Sequence, residues 1–130
     1  MAQSEIETFT YPQAWSGADF ESVESISFHL TPAHVVALED RLAGVNERGL
    51  ALTDICAGDF AHPDLDGDLE DILQELMFGR GVVVLRGLPA ERYSADDMAK
   101  MYWGIGAQFG IAVSQSALGD RLGHVQDLTK

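Results

Sequence analysis

The chain has 130 residues, 46% hydrophobic and 22% charged, which suits one modest buried core and argues against general disorder. Its 21 acidic residues against 8 basic ones leave a net charge of −13, which repels phosphate backbones and anionic lipid, so neither nucleic acid nor a membrane surface is expected as a partner. The opening MAQSEIETF lacks the basic and apolar regions of a secretory signal, no apolar run is longer than residues 82–85, and Cys56 has no second cysteine to pair with; a cytoplasmic protein is expected.

Residues 1–23 read as an arm that lays Tyr11, Trp15 and Phe20 on the body. SISFHL (25–30) alternates Ile26, Phe28 and Leu30 against Ser25, Ser27 and His29, the period of a half-buried strand. Thr31 then stands as N-cap with Pro32 at the first helical position. Val35, Leu38, Leu42 and Val45 form one face of that helix, and Gly49 can close it in a left-handed turn. A loop with Cys56 and Phe60 leads to a second helix, whose face is Leu69, Ile72, Leu73 and Leu76 and whose first turn is acidic. GVVVLRGLP is the strongest strand, expected to be central and covered on both faces. Ser94 and Asp97 open a third helix as a capping box, with Met98, Met101, Tyr102, Ile105 and Phe109 as its buried stripe. The closing stretch reads as strand, turn through Gly119 and Asp120, strand. The order β, α, α, β, α, β, β predicts an α+β, or mixed α/β, fold with an unfinished sheet.

Isolated motifs carry little chemistry. His62-Pro63-Asp64 has the spacing of two iron ligands, but it lies in a loop ahead of a helix, where proline fits poorly in a ladder. Asp64, Asp66, Asp68 and Glu75 imitate a calcium loop, yet Leu69 occupies the position where the sharp turn requires glycine. GIGAQFG follows a helix and precedes a strand, the reverse of a dinucleotide turn, so close helix packing is the better reading of its glycines. Cys56 has no histidine nearby in sequence to activate it. His29 and His34 read as surface or packing residues.

The joined pattern is more specific. AWSGADF, SFHLTPAHVVALEDRL, GRGVVVLRGLP, YSADDMAKMYWGIGAQFG and SQSALGDRLGHVQDL, in this order, resemble the N-terminal part of TauD/TfdA-like dioxygenases, iron(II)- and 2-oxoglutarate-dependent oxygenases of the clavaminate-synthase-like fold. The resemblance implies the N-terminal helices and first strands of a double-stranded β-helix, or jelly-roll, here incomplete, so that residues 1–130 form one partial domain. It also implies an iron held by His-x-Asp and a distant histidine, with an arginine for 2-oxoglutarate. None of these has a counterpart here, and no catalytic residue or metal ligand is assigned. His124 and Asp127 are three apart, which on a strand points them to opposite faces. Gln115, whose match in relatives is usually glutamine, is expected to line the substrate cavity or to stabilise a turn. Fe(II), 2-oxoglutarate and a small organic substrate belong to the intact enzyme; the chain alone is expected to be inactive and to self-associate or pair with the missing barrel half. The alternative is a non-catalytic assembly module that docks a partner chain. A nucleotide-binding protein is a third reading, resting on GIGAQFG alone.

Overall fold

The structure, a computed structural model, describes residues 10–129. Its first long helix, α1 (Pro32–Glu47), begins where the sequence places it. The Thr31 hydroxyl accepts from the His34 N–H at 3.2 Å, and His34 Nδ1 accepts from the Thr31 N–H at 2.9 Å, so two otherwise orphaned amides satisfy each other's side chains. Val35, Leu38, Leu42 and Val45 are all buried, joined by Ala37 and His34. At the far end the Gly49 N–H donates to Asn46 O and the Leu50 N–H to Val45 O, with Gly49 at φ 64°, the paired bonds of a Schellman closure.

A short helix α2 (Ala57–Phe60) and the long α3 (Pro63–Phe78) follow, and both pack on α1. Phe60, Leu65, Leu69 and Ile72 enter the core; Leu73 and Leu76 are half-buried at its margin. Beyond Gly79, the Gly79 and Gly81 amides both donate to Glu75 O, and Gly81 at φ 78° turns the chain toward the sheet.

That sheet has two parallel strands, β1 (Ser27–His29) and β2 (Val84–Arg86), in the register Ser27–Val84, Phe28–Leu85 and His29–Arg86. Parallel neighbours require a long crossover, here made by α1, α2 and α3. Strand β1 is shorter than its alternating pattern suggests. A 3-10 turn, Val23–Ile26, takes its first residues, because the Ser25 and Ser27 hydroxyls donate to Ser22 O and Val23 O and compete with a ladder. Strand β2 is not the central, doubly covered strand expected from VVVL. Its one neighbour among the described residues is β1, Val84 and Leu85 are only half-buried, and Arg86 is exposed.

Helix α4 (Ala95–Ala107) packs on α1 and α2. Ser94 caps it by accepting from the Asp97 N–H at 3.1 Å, but Asp97 accepts from Asn46 Nδ2 at 3.0 Å instead of returning the cap, so half of the expected box is spent on a tertiary bond. Met101 is wholly buried; Tyr102, expected in the buried stripe, is 67% exposed, and Trp103 turns inward in its place. Residues 111–129 hold no strand, contrary to the strand-turn-strand expectation, since no sheet edge pairs with them; the turn itself forms, with Gly119 at φ 87° and its N–H donating to Ser116 O.

Of the expected arm, residues 1–9 lie outside the described span; within residues 10–23, which are mostly exposed, Trp15 and Phe20 meet the body. Trp15 Nε1 donates to Arg80 O at 2.8 Å, the Trp15 and Phe20 rings meet edge to face, and the Arg80 guanidinium lies over Phe20. Tyr11 is 60% exposed. The fold is α+β, and no helix among the described residues is long and apolar enough to cross a membrane.

Candidate functional site

The residues with metal-ligand spacing are engaged in shaping helix ends. His62 is the N-cap of α3: its Nδ1 accepts from the Asp64 N–H at 3.0 Å, and its own N–H donates to Asp66 Oδ1 at 3.0 Å. Asp64, Asp66, Asp68 and Glu75 all lie on α3 rather than around a turn. Asp68 pairs with His34, and Glu75 Oε1 accepts from the Arg80 N–H at 3.0 Å. Among the described residues no group of three or more histidine, cysteine, aspartate or glutamate side chains converges as an ion would require. The donors present therefore do not fit an iron centre.

His34 exceeds what its sequence position suggested. It is 5% exposed, and its Nε2 lies 2.6 Å from Asp68 Oδ2. Because Nδ1 accepts from a backbone amide, the ring proton belongs on Nε2, where it is donated to the Asp68 carboxylate. The readable signal was Thr31 three residues before it, the spacing of a reciprocal cap.

Cys56 is exposed, and its thiol donates to Asp59 Oδ2 at 3.1 Å. The same oxygen accepts from the Cys56 N–H at 2.8 Å, and Asp59 Oδ1 accepts from Arg48 at 2.6 Å. The Cys56 amide first, then the Arg48 guanidinium, hold the Asp59 carboxyl below the usual carboxylate range. This cluster ties α2 to the end of α1.

GIGAQFG is a packing device at one glycine. A Cβ on Gly104 would stand 2.3 Å from the Phe60 ring, whereas one on Gly106 or Gly110 would meet nothing within 4 Å. Gln108 Nε2 donates to Ala57 O at 2.8 Å, holding the end of α4 against α2.

The final segment returns to the body where the Arg121 guanidinium lies 5.1 Å from the Trp103 ring, whose Nε1 donates to Ile55 O at 3.0 Å. Between these anchors a closed loop forms. The Gln115 N–H donates to Asp120 O at 2.6 Å, and the Ser116 hydroxyl accepts from the Leu118 and Asp120 amides. Gln115 is exposed, and its Nε2 donates to Val113 O at 3.1 Å. His124 and Asp127 are exposed outside any strand; the Thr129 hydroxyl and amide bind Asp127 and lower its carboxyl pKa.

One groove of about 380 Å³ opens beside β1, with Ile26, Phe28, Ile72 and Val83 as its apolar wall and Asp71 and Arg80 among its charged residues. It holds no nucleophile paired with a base. The chain was compared with models of protein families and with curated proteins, and it matches none of either.

Proposed function

We propose that the chain is the N-terminal portion of a TauD/TfdA-like, iron(II)- and 2-oxoglutarate-dependent dioxygenase domain, acting on a small organic substrate when joined to the rest of its double-stranded β-helix. The observation that carries this reading is the run of five motifs in family order from AWSGADF to SQSALGDRLGHVQDL. The β1–β2 pair is in keeping with it, since among the described residues neither strand has a partner on its outer edge, and so is the exposed segment 111–129, which holds no strand. The segment's part is to flank the barrel, supply its first strands and wall the substrate entrance. Iron and 2-oxoglutarate are held by residues outside these 130, so no step of the oxidation is assigned to side chains present here.

The test is the coding sequence that continues from or neighbours this one, co-expressed with it. A His-x-Asp within a few dozen codons (roughly a loop and a strand) and succinate formation by the combined product are expected. Absence of both overturns the reading, as does succinate formation by the 130-residue chain alone. A second reading, a non-catalytic module that docks a partner, is favoured by the apolar exposure of residues 111–128.

A further inference from the structure

The N-terminal arm grips one turn of the body. Gln13 Nε2 donates to Met77 O at 3.2 Å, a carbonyl of the last turn of α3 that has no partner within the helix. Trp15 Nε1 donates to Arg80 O just beyond the helix, at 2.8 Å. The Arg80 guanidinium lies 5.0 Å from the centre of the Phe20 ring, and Trp15 braces that ring with its own, 4.6 Å away. Residues 10–20 contribute nothing to the hydrophobic core, and all but Phe20 are exposed. Release of the arm therefore leaves the core intact, the mark of a unit that opens at less cost than global unfolding.

Arg80 is also where the arm meets the groove beside β1. It lines this groove together with Asp71 and Glu75, yet among the described residues its guanidinium pairs with neither carboxylate and faces Phe20 instead. The Glu75 carboxylate is within easy reach, since its Oε1 already accepts from the Arg80 N–H at 3.0 Å. At an exposed site a guanidinium over a phenyl ring and a guanidinium–carboxylate pair are of similar strength. Two positions of the Arg80 side chain are thus closely balanced, and the arm decides between them.

We propose that the arm is a releasable strap that holds this groove open through Arg80. With the strap docked, the guanidinium is drawn onto Phe20 and the Asp71 and Glu75 carboxylates stay free of it. With the strap released, the guanidinium turns to those carboxylates and closes the charged side of the groove over its apolar wall of Ile26, Phe28, Ile72 and Val83. One guanidinium cannot serve both partners, so the two positions exclude each other. Weakening the pull of the carboxylates must then favour the docked strap, by the same differential that separates the two states.

Solvent exchange of the two indole N–H protons of the full chain, followed by NMR, tests this. Trp15 reports the strap, and Trp103, bonded to Ile55 O, reports the body. The Trp15 proton should exchange roughly tenfold faster than that of Trp103, or more. The double variant Asp71→Asn, Glu75→Gln, which keeps the oxygen that accepts from the Arg80 N–H, should slow Trp15 exchange about threefold. In an Arg80→Met background the same double change should have no effect on it. Asp71, Glu75 and Arg80 are all exposed, so helical circular dichroism should be unchanged throughout. Exchange of Trp15 as slow as that of Trp103 overturns the proposal, because the arm would then open only with the core. So does a double variant without effect, or one equally effective in both backgrounds, which would mark a general response to charge. None of these results touches the oxygenase reading, which stands or falls on the neighbouring coding sequence.

Discussion

His34 and Asp68 join the two long helices: Nε2 on α1 meets the carboxylate on α3 at 2.6 Å, with the imidazole 5% exposed and the Phe28 ring 5.7 Å away. The imidazole therefore serves the cap of α1 and the α1–α3 contact at once. Asp68→Ala leaves the buried Nε2–H without its acceptor and should cost about 1–3 kcal/mol. His34→Ala removes both bonds and part of the core and should cost more. Urea unfolding midpoints of the two variants and their double mutant check this, with the double mutant expected to lose less than the two single losses combined.

Gly104 and Gly106 should respond oppositely to the same substitution. At Gly104 a methyl group meets the fully buried Phe60 ring at 2.3 Å, so Gly104→Ala should destabilise by about 2–3 kcal/mol, and Phe60→Leu should recover part of that loss. At Gly106 there is open space within helix α4, and Gly106→Ala should stabilise by ~0.5–1 kcal/mol. Thermal unfolding separates the two outcomes.

Gly87 follows β2 at φ 95°, with Leu30 O 3.1 Å from where a Cβ would stand. The carbonyl belongs to the chain leaving β1 and cannot swing aside. Gly87→Ala should cost about 1–2 kcal/mol, the penalty of a left-handed non-glycine residue plus the contact. Chemical denaturation measures it, and amide exchange should rise first at the Leu30 N–H, which donates to Arg86 O at 2.8 Å.

Arg41 Nε is buried without a hydrogen-bond partner among the described residues. A side chain of similar length without that nitrogen removes the desolvation cost, so Arg41→Met should raise stability by about 1 kcal/mol. A fall in the unfolding midpoint would contradict this account.

The Asp59 carboxyl is held low by the Cys56 amide and Arg48, so its folded value lies below its unfolded one. Its stabilisation is complete above the unfolded carboxyl value of about 3.9 and is lost as pH falls through the lower folded value. Unfolding midpoints followed from about pH 6 to about pH 3 should fall less steeply for Asp59→Asn than for the parent chain.

Local signals in the sequence determined the helices. Thr31-Pro32 starts α1, Gly49 ends it, and Val35, Leu38, Leu42 and Val45 face the core, because capping and 3.6-residue periodicity act within a few residues. The helices were legible for that reason. Strands were less so. VVVL states only that four residues prefer an extended, covered backbone, and β2 shrank to Val84–Arg86 because its ladder depends on a neighbour distant in sequence. The final segment shows the same limit more strongly: its alternation and its turn at Gly119 are local, but a strand exists only where an edge accepts it. Tertiary structure alone decided that Tyr102 faces solvent while Trp103 reaches Ile55 O, that Asp97 leaves its cap for Asn46, and that His34 is buried on Asp68. Each is a choice between equivalent local partners, settled by which side chain the fold brings across from another helix.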